Sequence, residues 1–256
     1  MIYLSQALSG FVVAVIVGLT GVGGGSLMTP VLVLLFGIHP ATAVGTDLLH
    51  AAITKSGGTY VHAKKGRVDW RITGLLAAGS LPSAVVTLVA EHYFTVEGFR
   101  DSKIITTTLG VALLLTAASL VFRIRLLRFS RAHDPETSRH PLFTVLTGAI
   151  LGIVVSLSSV GAGAIGVTAL LFLYPRLPAS RIVASDLAHA VPLTAVAGLG
   201  HWLLGTINWP LLGCLLIGSL PGIYCGSHLS GRVPDKILRS LLALILVLVG
   251  GKLVAF

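Results

Sequence analysis

Two short patterns place ionisable side chains inside apolar segments of this chain: Asp47-x-x-His50 and Asp186-x-x-His189. Three residues apart on a helix, carboxylate and imidazole lie on one face. A neighbouring carboxylate raises the proton affinity of an imidazole, and either group changes charge as protons move. An ionisable group within a membrane segment is unfavourable enough that its default reading is functional. Each pair is therefore a candidate proton relay coupled to the movement of a solute. A second reading is polar glue between helices, or helix caps following Pro40 and Pro178, for which Thr46-Asp47 and Ser185-Asp186 are suitable. The aspartates fit both readings; the histidines lean to the structural one.

The other chemical signal is a pair of small-residue clusters, Gly21-Val22-Gly23-Gly24-Gly25-Ser26 and Ser159-Val160-Gly161-Ala162-Gly163-Ala164. Neither is a phosphate loop. In the first, Ser26 takes the last place of G-x-G-x-x-G, no Gly-Lys-Ser/Thr follows, and the flanks read as apolar helix rather than strand then helix. Two readings remain. Small residues let helices pack closely, or they break a helix. A break leaves unpaired N–H groups and a positive dipole end at the start of the second half-helix, which attracts an anion when aimed inward. Paired breaks in two halves of a chain mark a transporter's substrate site. On this reading Gly23, Gly24, Gly25, Ser26, Ser159, Gly161, Ala162 and Gly163 are substrate-binding candidates.

These residues need helices in a bilayer to position them. Apolar types make up 54% of the chain and charged types 11%, less than half the charge of an ordinary soluble domain, where it is about 25%. Eight apolar segments can be drawn, at 4–36, 40–62, 68–91, 102–122, 142–174, 178–201, 207–229 and 235–255. Such runs are the signature of an all-α polytopic membrane protein. The first and fifth are too long. A straight helix of roughly 32 residues spans almost 50 Å against a hydrocarbon core of about 30 Å. Each must tilt, project or break, and each carries one of the small-residue clusters near its middle.

The clusters belong to an internal repeat. Val22, Gly23, Gly25 and Pro40 fall on Val160, Gly161, Gly163 and Pro178. After one inserted residue, Asp47-Leu48-Leu49-His50-Ala51 falls on Asp186-Leu187-Ala188-His189-Ala190, and His62, Gly66, Trp70 and Gly74 fall on His201, Gly205, Trp209 and Gly213. Gly79-Ser80-Leu81-Pro82 recurs unchanged as Gly218-Ser219-Leu220-Pro221. Matches of Asp, His, Trp and Pro carry weight because those types are scarce here. The organisation is a first membrane repeat at 1–122, a basic linker at 123–141 and a second membrane repeat at 142–256.

Lysine and arginine give the expected orientation. If every segment crosses once, the two sides hold ten and seven basic residues. If the first and fifth segments fold back at their clusters, the counts become fourteen and three, with Lys55 inside the membrane. The positive-inside rule selects the folded form. Each half is then a broken, re-entrant hairpin plus three crossings, and the odd number inverts the second half. The linker is cytoplasmic and both termini lie outside. No cleaved signal peptide is expected from the first residues.

Several polar residues have quieter readings. Lys55 has no repeat counterpart, Thr194 standing in its place; it is a fixed positive charge for an anion or, favoured here, a side chain that snorkels to the interface. His62, His201, Trp70 and Trp209 sit at segment ends, where interfacial anchoring is ordinary. The repeated Gly-Ser-Leu-Pro reads as a kink. Cys214 and Cys225 form no metal or disulfide framework. No hydrolase-type triad, redox cysteine pair, metal set or nucleotide motif stands out, so neither an enzyme nor a cofactor is expected. The net charge of +9 reflects topology rather than nucleic acid. The partners are the lipid bilayer and a small anionic substrate, and a homodimer is compatible with the sequence.

The stretch GLTGVGGGSLMTPVLVLLFGIHPATAVGTDLLHA, the basic AKKGRVDW, the GSLP after it and a weaker second copy resemble the TauE/SafE sulfite-exporter family of bacterial membrane permeases over nearly the whole chain. The resemblance implies an inner-membrane transporter of sulfur-containing anions such as sulfite or organosulfonates. It adds Thr46, next to Gly45, and Ser185, next to Ala184, to the glycine-rich breaks as substrate contacts. The second copy departs from the glycine pattern at Ser159 and Ala162. The expected function is a secondary transporter, an exporter working by alternating access with proton coupling through Asp47, His50, Asp186 or His189. The alternatives are an uncoupled anion channel and a membrane assembly factor for sulfur metabolism.

Overall fold

The computed structural model describes residues 2–20, 27–96, 107, 109–122, 141–161, 163–229 and 235–255. Every regular element among them is a helix. The first half holds α1 (Ile2–Thr20), α2 (Met28–Phe36), α3 (Pro40–Lys64), α4 (Trp70–Val96) and α5 (Leu109–Phe122). The second holds α6 (Pro141–Ser158), α7 (Ile165–Leu173), α8 (Ala179–Leu203), α9 (Trp209–Leu229) and α10 (Asp235–Ala255). Residues 123–140 of the linker and the cluster Gly21–Ser26 lie outside the described residues, as does Ala162.

Helices that the sequence matches between the two halves agree in length. The short helices α2 and α7 have nine residues each, and the long helices α3 and α8 have 25 each. The fifth apolar segment breaks at its small-residue cluster: α6 stops at Ser158 and α7 starts at Ile165. Ser159, Gly161 and Gly163 between them all take positive φ, which no helix can continue through. At nine residues α7 is only about 14 Å long, half of a bilayer core. Gly66 and Gly205, matched by the repeat, both take φ near the left-handed region, 61° and 70°, in the turns that lead into α4 and α9. A side chain there would strain the backbone.

Packing pairs one half with the other. α3 runs antiparallel to α8: Gly45 meets His201, Leu49 meets Gly198, and Gly58 meets Leu187. α1 packs on α9, and α6 packs on α4. Both contacts are close because glycine removes the side chain. A Cβ at Gly79 would run into the carbonyl oxygen of Val145, and one at the repeat-matched Gly218 would run into that of Ala7. The glycine of Gly-Ser-Leu-Pro is thus a helix-packing residue, in addition to standing three positions before Pro82 or Pro221 inside its helix.

Four helices among the described residues are long and apolar enough to cross a membrane, on α4, α6, α8 and α9. Leu4, Leu8, Val86, Ile150, Ile217 and Leu248 are exposed on the outside of the bundle, while Asp47, His50, Lys55, Asp186 and His189 are buried in its interior. That distribution, apolar outward and ionisable inward, suits lipid as the surrounding solvent.

Two contacts fix which loops share an end of the bundle. Arg181, just inside α8, lies 3.5 Å from Asp69, just before α4. The backbone N–H of Asp69 also donates to Ser185 Oγ at 2.8 Å. At the matched place the N–H of Asn208, just before α9, donates to Thr46 Oγ1 at 3.1 Å. A path in which every segment crosses once puts Arg181 and Asp69 on opposite sides; the fold-back path puts them together.

Candidate functional site

The centre of the bundle is built from α3 and α8, with the starts of α2 and α7 beside them. Pro40 opens α3 at its first turn, where its missing N–H leaves no bond unmade. Pro178 precedes α8. Asp47 and Asp186 then face inward about two turns into their helices and are fully buried, as are Thr46 and Ser185.

Asp47 is held by donors from both halves. Thr29, in the first turn of α2, donates its hydroxyl to Asp47 Oδ2 at 2.6 Å. Ser159, in the break between α6 and α7, donates to the same oxygen at 3.0 Å. His50 Nδ1 stands 3.6 Å from Asp47 Oδ1, so the expected carboxylate–imidazole pair does share a face. Hydroxyl donors stabilise the ionised carboxylate. Val160 packs with Leu27 and Met28 in one apolar cluster. The described rims of the two helix breaks therefore meet at Asp47.

Asp186 occupies the matching position, and among the described residues no hydroxyl stands on it as Thr29 and Ser159 stand on Asp47. Among the described residues, neither of its oxygens has a side-chain hydrogen bond. It looks onto the start of α7, where a Cβ at Gly166 would strike Asp186 Oδ1 and the backbone of Gly163 comes near. His189 Nδ1 likewise has no partner among the described residues. The two Asp-x-x-His motifs are equivalent in sequence and, among the described residues, unequal in surroundings.

The histidines are tied across the halves. His50 Nε2 lies 2.9 Å from Ser219 Oγ, and His189 Nε2 lies 2.7 Å from Ser80 Oγ. These serines belong to the repeated Gly-Ser-Leu-Pro, whose sequence reading as a kink missed the hydroxyl. The signal was present, since an unchanged polar residue in an apolar segment needs a partner. Thr29 carries no such signal in the sequence and was missed altogether.

Some placements correct the sequence reading. Lys55 does not snorkel: it is 5% exposed, and its Nζ has no hydrogen-bond partner among the described residues. It lies within electrostatic reach of Asp186 and Asp47. His201 is not an interfacial anchor. It is buried, with Nε2 3.0 Å from the carbonyl of Ser156 and Nδ1 3.1 Å from Thr206 Oγ1. Glu91 of α4 also stands 3.9 Å from His201 Nε2. Trp70 and Trp209 are exposed, as an anchor should be.

Of the residues expected to touch substrate, Thr46 and Ser185 accept hydrogen bonds from the N–H groups just before α9 and α4. Ser159 touches Asp47, and Gly161 and Gly163 shape the loop before α7. Gly23, Gly24, Gly25, Ser26 and Ala162 lie outside the described residues.

A helical bundle with lipid-facing apolar walls and an ionisable core between two short helices defines a polytopic membrane protein with a polar interior. The chain belongs to the TauE/SafE family, whose model, described as sulfite exporter TauE/SafE, matches residues 6–253. It is 37% identical to a probable membrane transporter protein, YjnA, of Bacillus subtilis, with 98% of this chain and 99% of that one covered. A probable membrane transporter protein of Methanocaldococcus jannaschii is 28% identical over 94% of this chain and 91% of its own. Another from Bacillus subtilis, YdhB, is 26% identical over 90% of this chain and 91% of its own. No solved structure is a significant match. The protein is a membrane transporter of the TauE/SafE type rather than an enzyme.

Proposed function

We propose that the protein is a secondary transporter that exports a small sulfur-containing anion, such as sulfite or an organosulfonate, by alternating access between two inverted repeats. The observation that carries this reading is the convergence of Thr29 and Ser159 on Asp47 Oδ2. It brings the start of one short helix and the break of the other half to one buried point, which is how discontinuous helices build a transport site. The antiparallel α3 and α8 support inversion, because repeat-matched helices in parallel halves would not oppose each other. The pairing of Arg181 with Asp69 supports the fold-back path and hence a cytoplasmic linker with both termini outside. The membrane would be the bacterial inner membrane. Substrate contacts are drawn from the two breaks and from Thr46 and Ser185, and protons move through the aspartate-bearing helices.

The test is flux in proteoliposomes. Saturable, uphill movement of sulfite or methanesulfonate driven by a proton gradient is expected, and replacing Asp47 and Asp186 together by Asn abolishes it. Undiminished flux in that variant removes the aspartates from the mechanism. Flux that only runs downhill and never saturates selects an uncoupled channel instead. A preference for cations or neutral solutes overturns the anion assignment.

A further inference from the structure

The repeat supplies two carboxylates at equivalent places, but one lysine. Lys55 is 5% exposed, Asp186 is 1% exposed, and neither has a side-chain hydrogen-bond partner among the described residues. An ammonium buried without hydrogen bonds is strongly unfavourable unless an anion or other acceptor completes its shell. Asp47 differs from Asp186 at one oxygen: Oδ2 takes two hydroxyl donors, while Oδ1 has only His50 beside it at 3.6 Å. Asp186 faces the start of α7, the positive end of that helix. The protein's own carboxylate thus already stands where a substrate anion would be attracted.

Net charge controls whether an anion can enter. With the imidazoles neutral and both carboxylates ionised, Lys55 leaves the centre with a net negative charge, which repels an anion. A proton on Asp186 makes the centre neutral, frees the start of α7 and leaves Lys55 facing one ionised carboxylate, Asp47, instead of two. We propose that Lys55 and Asp186 form an anion–proton co-binding site, in which a small oxyanion binds to the Lys55 ammonium as a proton from solution binds to Asp186. This rests on the anionic-substrate reading above. The ionisable groups facing Lys55 besides Asp186 are Asp47 from α3 and His189 from α8, and His50 stands beside Asp47. The helices α2, α6 and α7 contribute none. Glu91 of α4 faces His201, and Cys214, Tyr224 and Cys225 of α9 are partly or fully exposed.

The experiment uses the full chain, purified in detergent and titrated with methanesulfonate, a strong-acid anion that carries no proton of its own. Proton uptake is read in weakly buffered solution. The wild type is expected to take up about one proton for each anion bound, as linkage requires when binding changes one group's charge state. Lys55→Met weakens binding by about tenfold or more, the scale of a charge-assisted hydrogen bond, and Lys55→Arg retains part of it. Asp186→Asn binds methanesulfonate without taking up a proton, whereas Asp47→Asn still takes one up. Where Lys55→Met does not fold, as judged by thermal melting, the proton count of Asp186→Asn decides alone. Proton uptake by Asp186→Asn, or binding by folded Lys55→Met equal to wild type, overturns the proposal and leaves the anion reading standing. A wild type that binds neither methanesulfonate, sulfite nor sulfate overturns both.

Discussion

His50 and Ser219 meet across the two halves of the chain, Nε2 to Oγ at 2.9 Å, and the repeat reproduces the bond between His189 and Ser80 at 2.7 Å. Both serines and His189 are completely buried, and His50 nearly so. Replacing either serine by Ala leaves a ring nitrogen in the interior without its partner. The expected loss is about 1–3 kcal/mol of stability for each variant, seen as a lower melting temperature in detergent. Ser80→Thr and Ser219→Thr keep the hydroxyl and separate its loss from packing. An unchanged melting temperature in both Ala variants shows that the bonds contribute nothing.

The glycines of the repeat divide into two kinds, and the division predicts opposite outcomes. At Gly79 and Gly218 a Cβ meets the backbone carbonyls of Val145 and Ala7, which cannot rotate away. At Gly74 and Gly213 nothing lies within 4 Å. Gly79→Ala or Gly218→Ala is expected to prise α4 from α6, or α9 from α1, with a loss of about 3 kcal/mol or more, the scale of other overpacking changes. Gly74→Ala and Gly213→Ala stay within about 1 kcal/mol of wild type. Melting temperature and folded yield measure all four.

Much of this arrangement is written in the sequence because scarce residue types recur at fixed spacing. Asp47, His50, Pro40 and the Gly-Ser-Leu-Pro block announce the repeat, and length arithmetic announces the break between α6 and α7. What the spacing does not contain is the difference between the copies. Asp47 and Asp186 sit in matching sequence contexts, but Thr29 and Ser159 reach only the first. The burial of Lys55 is likewise tertiary: it depends on α8 lying along α3, as at Gly58 and Leu187. The burial of His201 has the same origin, since a histidine at a helix end is exposed until another helix, here α6 with Ser156, covers it.

Thr46 and Ser185 carry a prediction that separates structure from binding. Their hydroxyls accept N–H groups at the starts of α9 and α4, a capping role across helices. Thr46→Ala and Ser185→Ala are each expected to lose about 1 kcal/mol. Thr46→Ser and Ser185→Thr restore it. If these hydroxyls also touch the anion, the Ala variants weaken methanesulfonate binding when measured well below their melting temperatures. Binding equal to wild type confines both residues to the helix starts.

The proposed fold-back path carries a sidedness that can be tested. Asp69 binds Arg181 at 3.5 Å and Ser185 through its N–H, so the turn before α4 and the turn before α8 share one end of the bundle. That end carries Lys64, Lys65, Arg67, Arg71, Arg176 and Arg181, and the positive-inside rule puts it in the cytoplasm. On the proposed path the chain crosses from the turn before α8 as α8, α9 and α10, an odd number, and is expected to finish outside. A phosphatase fused after Phe256 is expected to be active and a green fluorescent fusion dark. Cysteine labelling of Lys65→Cys, an exposed position in the turn before α4, should find it shielded from an impermeant maleimide in intact cells. A fluorescent C-terminal fusion with an inactive phosphatase would invert the path from α8 onward. It would leave the contact between Asp69 and Arg181 intact, but place that end of the bundle outside.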